Sequence, residues 1–244
     1  PLAAANVCAP GRIVGNVGGN LATIDVATGA MQRLTSLTGN QLPGMAGASG
    51  QALADSGAVD SMDVNTDGTF AVLPWQSVSS RLVVSVVNLA TNSVSNTTFG
   101  SVPESSFRGG WNSLQSKFYF TIGGVLYVFD PSASTPTSTA IGTITSATGE
   151  SIPNGGDLYF DRSGNMYLVA SNASSSALYR VDAAQIASGG LKATKMVDLM
   201  GIPTGSNANG VAFASDGYLF VSVSTPGASQ LLKIDPASGA QIGA

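Results

Sequence analysis

Histidine is absent from the 244-residue sequence. Ser-His-Asp and Cys-His catalysis, and any histidine-ligated metal, are thereby excluded within these residues. Charge is nearly as scarce. Asp, Glu, Lys and Arg make up 10% of the residues, against about 25% in an average soluble domain. Ten Lys and Arg are scattered without a cluster, and the net charge is −4. With no basic patch to neutralise phosphates, nucleic acid is not expected as a partner. No apolar run approaches the ~20 residues that cross a bilayer as a helix, and residues 82–87 (LVVSVV) are only strand-sized. The opening PLAAANVCAP has neither a charged n-region nor a long apolar h-region, as expected of an already processed start. One cysteine is present, Cys8. It is expected as a small buried residue on a first strand, the alternative being an unpaired thiol that bridges to another chain.

What is there suits an all-β chain. Hydrophobic residues make up 43%, enough for a core. The surface must then be covered by Ser, Thr, Asn, Gln and Gly, a composition that suits strands and turns and is common in secreted and cell-surface proteins. Two turn signals recur. An Asp or Asn closes an apolar strand before small residues at Asp25, Asn88, Asp130, Asp182 and Asp235. An Asx side chain accepts backbone N–H bonds two or three residues on, and Gly supplies positive φ. The second signal is an Asp/Gly turn before an aromatic-apolar strand, at Asp67-Gly68, Asp161 with Gly164, and Asp216-Gly217. These read as hairpins between the first and second strands of a unit.

The two signals interlock into five units of four strands, at about 1–38, 57–100, 106–146, 154–199 and 207–244. The predicted strands are 3–8, 12–17, 20–25 and 31–37; 58–64, 69–75, 81–88 and 93–99; 108–113, 117–122, 125–130 and 139–145; 156–161, 165–171, 177–182 and 191–198; and 210–214, 218–224, 230–235 and 240–243. The insertion DAAQIASGG in the fourth unit has room for one helical turn. No such sheet buries both faces alone, and radial stacking solves this. The expectation is a single domain over 1–244, a β-propeller of four-stranded antiparallel blades. Five blades is the direct count, and six is the alternative if the protein extends past Ala244. A sandwich or solenoid fits the alternation but not the phased pairs of turns. The fourth strands are Ser/Thr-rich, leaving polar outer edges available to another chain.

Two segments that open inner strands, IPNGGDLYFDRSGNMYLV and NANGVAFASDGYLFVS, resemble the Pro-Asn-Gly strand starts of gluconolactonase/senescence-marker propellers and the related NHL-type and quinoprotein-like repeats. The likeness covers units 4 and 5 well, unit 2 moderately and units 1 and 3 poorly. In the gluconolactonase-like enzymes, Asn, Glu and Asp side chains at the channel mouth hold a divalent metal that polarises an ester. The resemblance implies Asn154 and Asn209 as those asparagines, with Glu104, Glu150 or Asp60 supplying carboxylates. Each asparagine also precedes a glycine, which suits a turn.

Asp63-Val-Asn65-Thr-Asp67-Gly68 matches the opening of a calcium loop, in which alternate oxygens converge on a hard cation. Pro74 stands where the bidentate Glu belongs, and a plain hairpin turn is the other reading of the segment. Paired carboxylates for glycoside hydrolysis would have to come from Glu104 or Glu150 with Asp60 or Asp157. Trp111 and Phe107 flank an inner strand where they would stack on a sugar, or pack between blades. Asn96-Thr97-Thr98 and Asn172-Ala173-Ser174 are glycosylation acceptor patterns.

The sequence thus leads to a secreted, periplasmic or cell-surface propeller that binds or assembles without catalysis, its partners being protein, further copies of itself, or glycan. The candidate ligand site is Asn154, Asn209, Glu104 and Trp111. The candidate site for calcium or another divalent ion is Asp63, Asn65 and Asp67. The alternatives are a metal-dependent lactonase or esterase and a five-bladed glycoside hydrolase.

Overall fold

The computed structural model describes residues 12–17, 20–36, 61–76, 80–91, 93–102, 108–214, 216–225 and 228–243. Five small antiparallel sheets follow one another along the chain. The first is β1 (Arg12–Val17), β2 (Asn20–Asp25) and β3 (Met31–Ser36). The second is β4 (Asp63–Val64), β5 (Phe70–Gln76), β6 (Arg81–Asn88) and β7 (Val94–Ser101). The third is β8 (Gly109–Asn112), β9 (Lys117–Ile122), β10 (Val125–Phe129) and β11 (Ser138–Thr143). A short β12 (Thr145–Ser146) then joins the fourth sheet, β13 (Gly155–Phe160), β14 (Met166–Ser171), β15 (Ser176–Val181) and β16 (Lys192–Asp198), pairing parallel to β16. The fifth is β17 (Asn207–Phe213), β18 (Leu219–Thr225) and β19 (Ala228–Ile234). The expected first strand at 3–8 with Cys8, the long loop after the first sheet, Asp60, Glu104 and Phe107 lie outside the described residues.

The sheets are blades because their two faces bury against different neighbours. On β5, Ala71, Leu73 and Trp75 pack with Leu21 of the first sheet, while Val72 packs with Phe118 and Phe120 of the third. On β14, Met166, Leu168 and Ala170 pack with Tyr119 and Leu126 of the third sheet, and Val169 with Leu219 and Val221 of the fifth. One apolar cluster fills each of the four boundaries from the first sheet to the fifth. Burial on both faces explains why β5 and β6 read as nearly continuous apolar runs rather than alternating ones. The chain is a five-bladed β-propeller.

The turn chemistry is largely local. Asp25 Oδ1 accepts the N–H groups of Ala27 and Thr28 at 3.0 and 2.9 Å. Asn88 does the same for Ala90 and Thr91, Asp130 for Ser132 and Asp235 for Ala237. Asp182 departs from this set. It precedes α1 (Ala183–Ser188) without a side-chain capping bond, and ion-pairs with Arg180 at 2.9 Å. The helical insertion leaves no small-residue turn there for the carboxylate to organise.

The fourth strand expected at 240–243 is reduced to a single bridge between Ile234 and Gln241. The Gly239 carbonyl accepts the N–H of Met200 instead, drawing this segment onto the end of blade 4. Gly239 sits at φ 71°, and a Cβ there would lie 2.0 Å from the Asp198 carbonyl.

Candidate functional site

The first strands of successive blades lie side by side, β4 against β8, β8 against β13 and β13 against β17. Blade 3 contributes Arg108-Gly109-Gly110-Trp111, and its glycines are required by crowding. A Cβ on Gly110 would lie 2.9 Å from the Leu158 carbonyl, and one on Gly109 2.6 Å from Ser61 Oγ. Two carboxylates hold this strand from either side. Asp63 Oδ2 accepts the N–H of Trp111 at 2.7 Å. Asp157 Oδ1 accepts the N–H of Gly109 at 3.0 Å and that of Leu158 at 2.9 Å. Burial pushes the Asp63 carboxyl up to about 6, against the pull of its two peptide N–H bonds. Burial pushes Asp157 up to about 8, and the nearby charge of Asp63 adds to the rise.

Arg108, only 3% exposed, directly precedes this strand. Its Nη2 donates to the carbonyls of Pro153 and Gly155, the latter at 2.8 Å, and so ties blade 3 to the segment leading into blade 4. Its Nε has no hydrogen-bond partner. Among the described residues no carboxylate forms an ion pair with it. Desolvation lowers the guanidinium to about 10, opposed by Asp157, so it stays charged near neutrality.

Arg108 forms part of the wall of a groove of about 450 Å³ between blades 3 and 4. Asn154, Glu150, Ser151 and Thr145 line it with Lys192, and most of the rest is Gly, Ser and Thr. The backbone pairing of β12 with β16 closes one side, through Thr145 N–H to the Leu191 carbonyl at 2.9 Å and Ala147 N–H to the Ala193 carbonyl at 2.8 Å. The volume is within the range of small-molecule pockets.

The structure places the sequence-derived site residues in different surroundings. Asn154 is exposed and lines the groove. Asn209 is exposed on β17 at a register shift, where its Nδ2 donates to Ser224 Oγ at 2.8 Å, and it does not line the groove. Trp111 is buried away from the groove, edge-on to Phe70, with Nε1 donating to Thr66 Oγ1 at 3.0 Å across the boundary of blades 2 and 3.

Asp63, Asn65 and Asp67 do not converge on one point. Asp63 faces Trp111. Asn65 Oδ1 accepts the N–H groups of Thr69 and Phe70 at 2.9 and 3.0 Å, and its Nδ2 donates to Asp67. Among the described residues no group of three or more His, Cys, Asp or Glu is placed to hold a metal ion.

Sequence reasoning missed Arg108 and Lys192. The one legible hint was an arginine directly before the Gly-Gly pair of an inner strand, in a chain with few cations.

No family model matches the sequence, and no curated protein matches it. Solved structures do match. A luciferin-regenerating enzyme is 12% identical with a TM-score of 0.54, over 91% of this chain and 68% of its own. A GH43 glycoside hydrolase, engineered to act as both endo-xylanase and exo-arabinofuranosidase, is 12% identical with a TM-score of 0.53, over 92% of this chain and half of its own, 50%. Regucalcin from Agrobacterium tumefaciens str. C58, a calcium-binding protein, is 15% identical with a TM-score of 0.44, over 97% of this chain and 73% of its own. The likeness is one of fold. The propeller's own side chains must therefore carry any statement about its role.

Proposed function

We propose that this propeller is a non-catalytic binding module, secreted or at the cell surface, whose ligand sits in the groove between blades 3 and 4. One observation carries the reading: the two inner-strand carboxylates are engaged by peptide N–H groups across blade boundaries, while the groove between blades 3 and 4 is open and lined by a buried arginine whose Nε has no hydrogen-bond partner. Low charge and a Ser/Thr-rich surface support an extracellular setting. Among the described residues no helix is long and apolar enough to cross a membrane. The test is a screen on immobilised neutral and acidic glycans and on candidate extracellular proteins, with wild type and Ser151→Trp, which fills the groove from an exposed position. Capture by wild type that Ser151→Trp abolishes supports the reading. Capture unaffected by Ser151→Trp removes the groove as the site, and no capture at all removes the binding role.

A second reading, a five-bladed glycoside hydrolase, is favoured by one feature. Two buried carboxyls, Asp63 and Asp157, flank β8 on the inner strands, and burial holds both above the usual carboxylate range. A panel of aryl glycosides decides it: turnover lost in Asp157→Asn supports hydrolysis, and absence of turnover on every substrate removes it. The lactonase reading, drawn from the asparagines, gains less, because Asn154 lines this groove and Asn209 does not.

A further inference from the structure

We propose that the groove between blades 3 and 4 recognises the carboxylate of a polyhydroxylated acid of the hexuronate type, with Arg108 as the buried counter-charge and Lys192 as the rim cation. This names the ligand class for the binding-module reading and rests on it.

Arg108 is 3% exposed, its Nε has no hydrogen-bond partner, and its Nη2 is taken by two neutral carbonyls. A buried guanidinium normally has a carboxylate or phosphate beside it, because desolvating the charge is costly. Here the acidic group in electrostatic reach is Asp157. Its carboxyl already accepts two peptide N–H groups. Burial also holds Asp157 at about 8, so near neutrality it leaves most of the arginine's charge uncancelled. Glu150, on the groove wall, is engaged elsewhere. Its Oε2 accepts Thr148 Oγ1 at 2.9 Å, and it acts on Tyr179 and Lys195.

The lining selects among anions. Beyond the two cations it offers the Asn154 amide and hydroxyls such as those of Thr145 and Ser151, with Ile144 and Ile152 as apolar side chains against which the carbon face of a sugar ring can rest. With Nη2 taken by the two carbonyls, the guanidinium offers a carboxylate its charge and its remaining N–H groups, and hydroxyl and amide side chains suit sugar hydroxyls. A volume near 450 Å³ admits one or two sugar rings. A hexuronate presents both features on one ring.

Titration calorimetry on the intact protein tests this with sodium galacturonate, galactose and sodium acetate. Galacturonate is expected to bind at least about tenfold more tightly than either galactose or acetate. Lys192→Gln, at an exposed strand end, is expected to weaken galacturonate severalfold and leave the melting temperature unchanged. Arg108→Lys keeps the charge but loses the guanidinium donors not taken by Pro153 and Gly155, and is expected to weaken it about tenfold or more. If Arg108→Lys misfolds, Lys192→Gln and Ser151→Trp carry the comparison. Galactose binding as well as galacturonate overturns the carboxylate assignment while leaving a binding groove. Acetate binding as well as galacturonate reduces the site to a simple anion site and overturns the sugar-acid assignment. No heat with any probe overturns the inference, and capture of some other partner in the screen above would show that the binding role survives it.

Discussion

At Asp157 a buried carboxyl accepts two peptide N–H groups and is nevertheless held up at about 8, because loss of water outweighs the bonds. Asp63, raised to about 6, is its weaker counterpart on the other side of the same strand. The sign follows from linkage. Both folded-state values lie above the 3.8 of an ordinary aspartate, so the fold binds more protons than the unfolded chain between those limits. Their contribution to stability is greatest below about 4, and is lost as pH rises through about 6 and then about 8. Denaturant midpoints of the wild type, compared between pH 5 and 9, should fall on the alkaline side. Asp157→Asn keeps an acceptor oxygen for Gly109 and Leu158 and should flatten the slope; an unchanged slope would show that Asp157 is ionised throughout. Asn65 is a residue of another kind, a hub of one turn. Replacing it with Ala takes the side-chain acceptor from Phe70 N–H and leaves Thr69 N–H only the longer bond to Asp67 Oδ1 at 3.2 Å, and should cost about 1–3 kcal/mol. Because this turn closes on itself, chelator should leave the melting temperature of wild type and Asp67→Ala unchanged; a chelator-induced drop in the wild type alone would restore the calcium reading.

Among the elements, β8 shows how a propeller of few blades crowds its inner strands. Gly110 faces the backbone of β13, and a methyl group there would lie 2.9 Å from the Leu158 carbonyl and 2.8 Å from Leu158 Cδ1. Gly110→Ala should therefore destabilise by about 1–3 kcal/mol through separation of blades 3 and 4. Gly100, on the outer strand β7, meets nothing within 4 Å, and Gly100→Ala should be close to neutral in the same denaturation experiment. Equal losses at the two positions would mean that strand propensity, not the approach of blades, sets the cost.

For the whole molecule, the outer edges are the exposed feature with consequences for assembly. Blade 4 has its outer strand covered by β12, whereas β7 and β11 end their sheets. β7 is eight residues long and uncharged along Val94–Ser101, a combination that leaves strand addition unopposed. If self-association occurs at this edge, Ser95→Lys with Thr98→Lys, both at exposed positions, should suppress it in sedimentation velocity at high protein concentration. Association that persists in the double variant would place the contact on another surface.

Much of the propeller was legible in the sequence because its determinants are local. The two-residue period, and an Asx side chain reaching N–H groups two or three positions on, need no knowledge of the rest of the chain. Strands 12–17, 20–25, 81–88 and 117–122 were accordingly bounded as the structure has them. Asp182 and the last strand escaped because a helix and a contact from Met200 intervened. Asn154 lines the groove with Glu150, both named from the sequence, whereas Arg108 and Lys192 were not. Arg108 and Lys192 meet it only when blades 3 and 4 stack. Likewise, whether Asp63 would turn to a cation or to Trp111, 48 residues on, depends on which strand lies beside it. Local chemistry set the blades and their turns. Radial packing alone decided which charges were buried, which were left unpaired, and where a groove remained open.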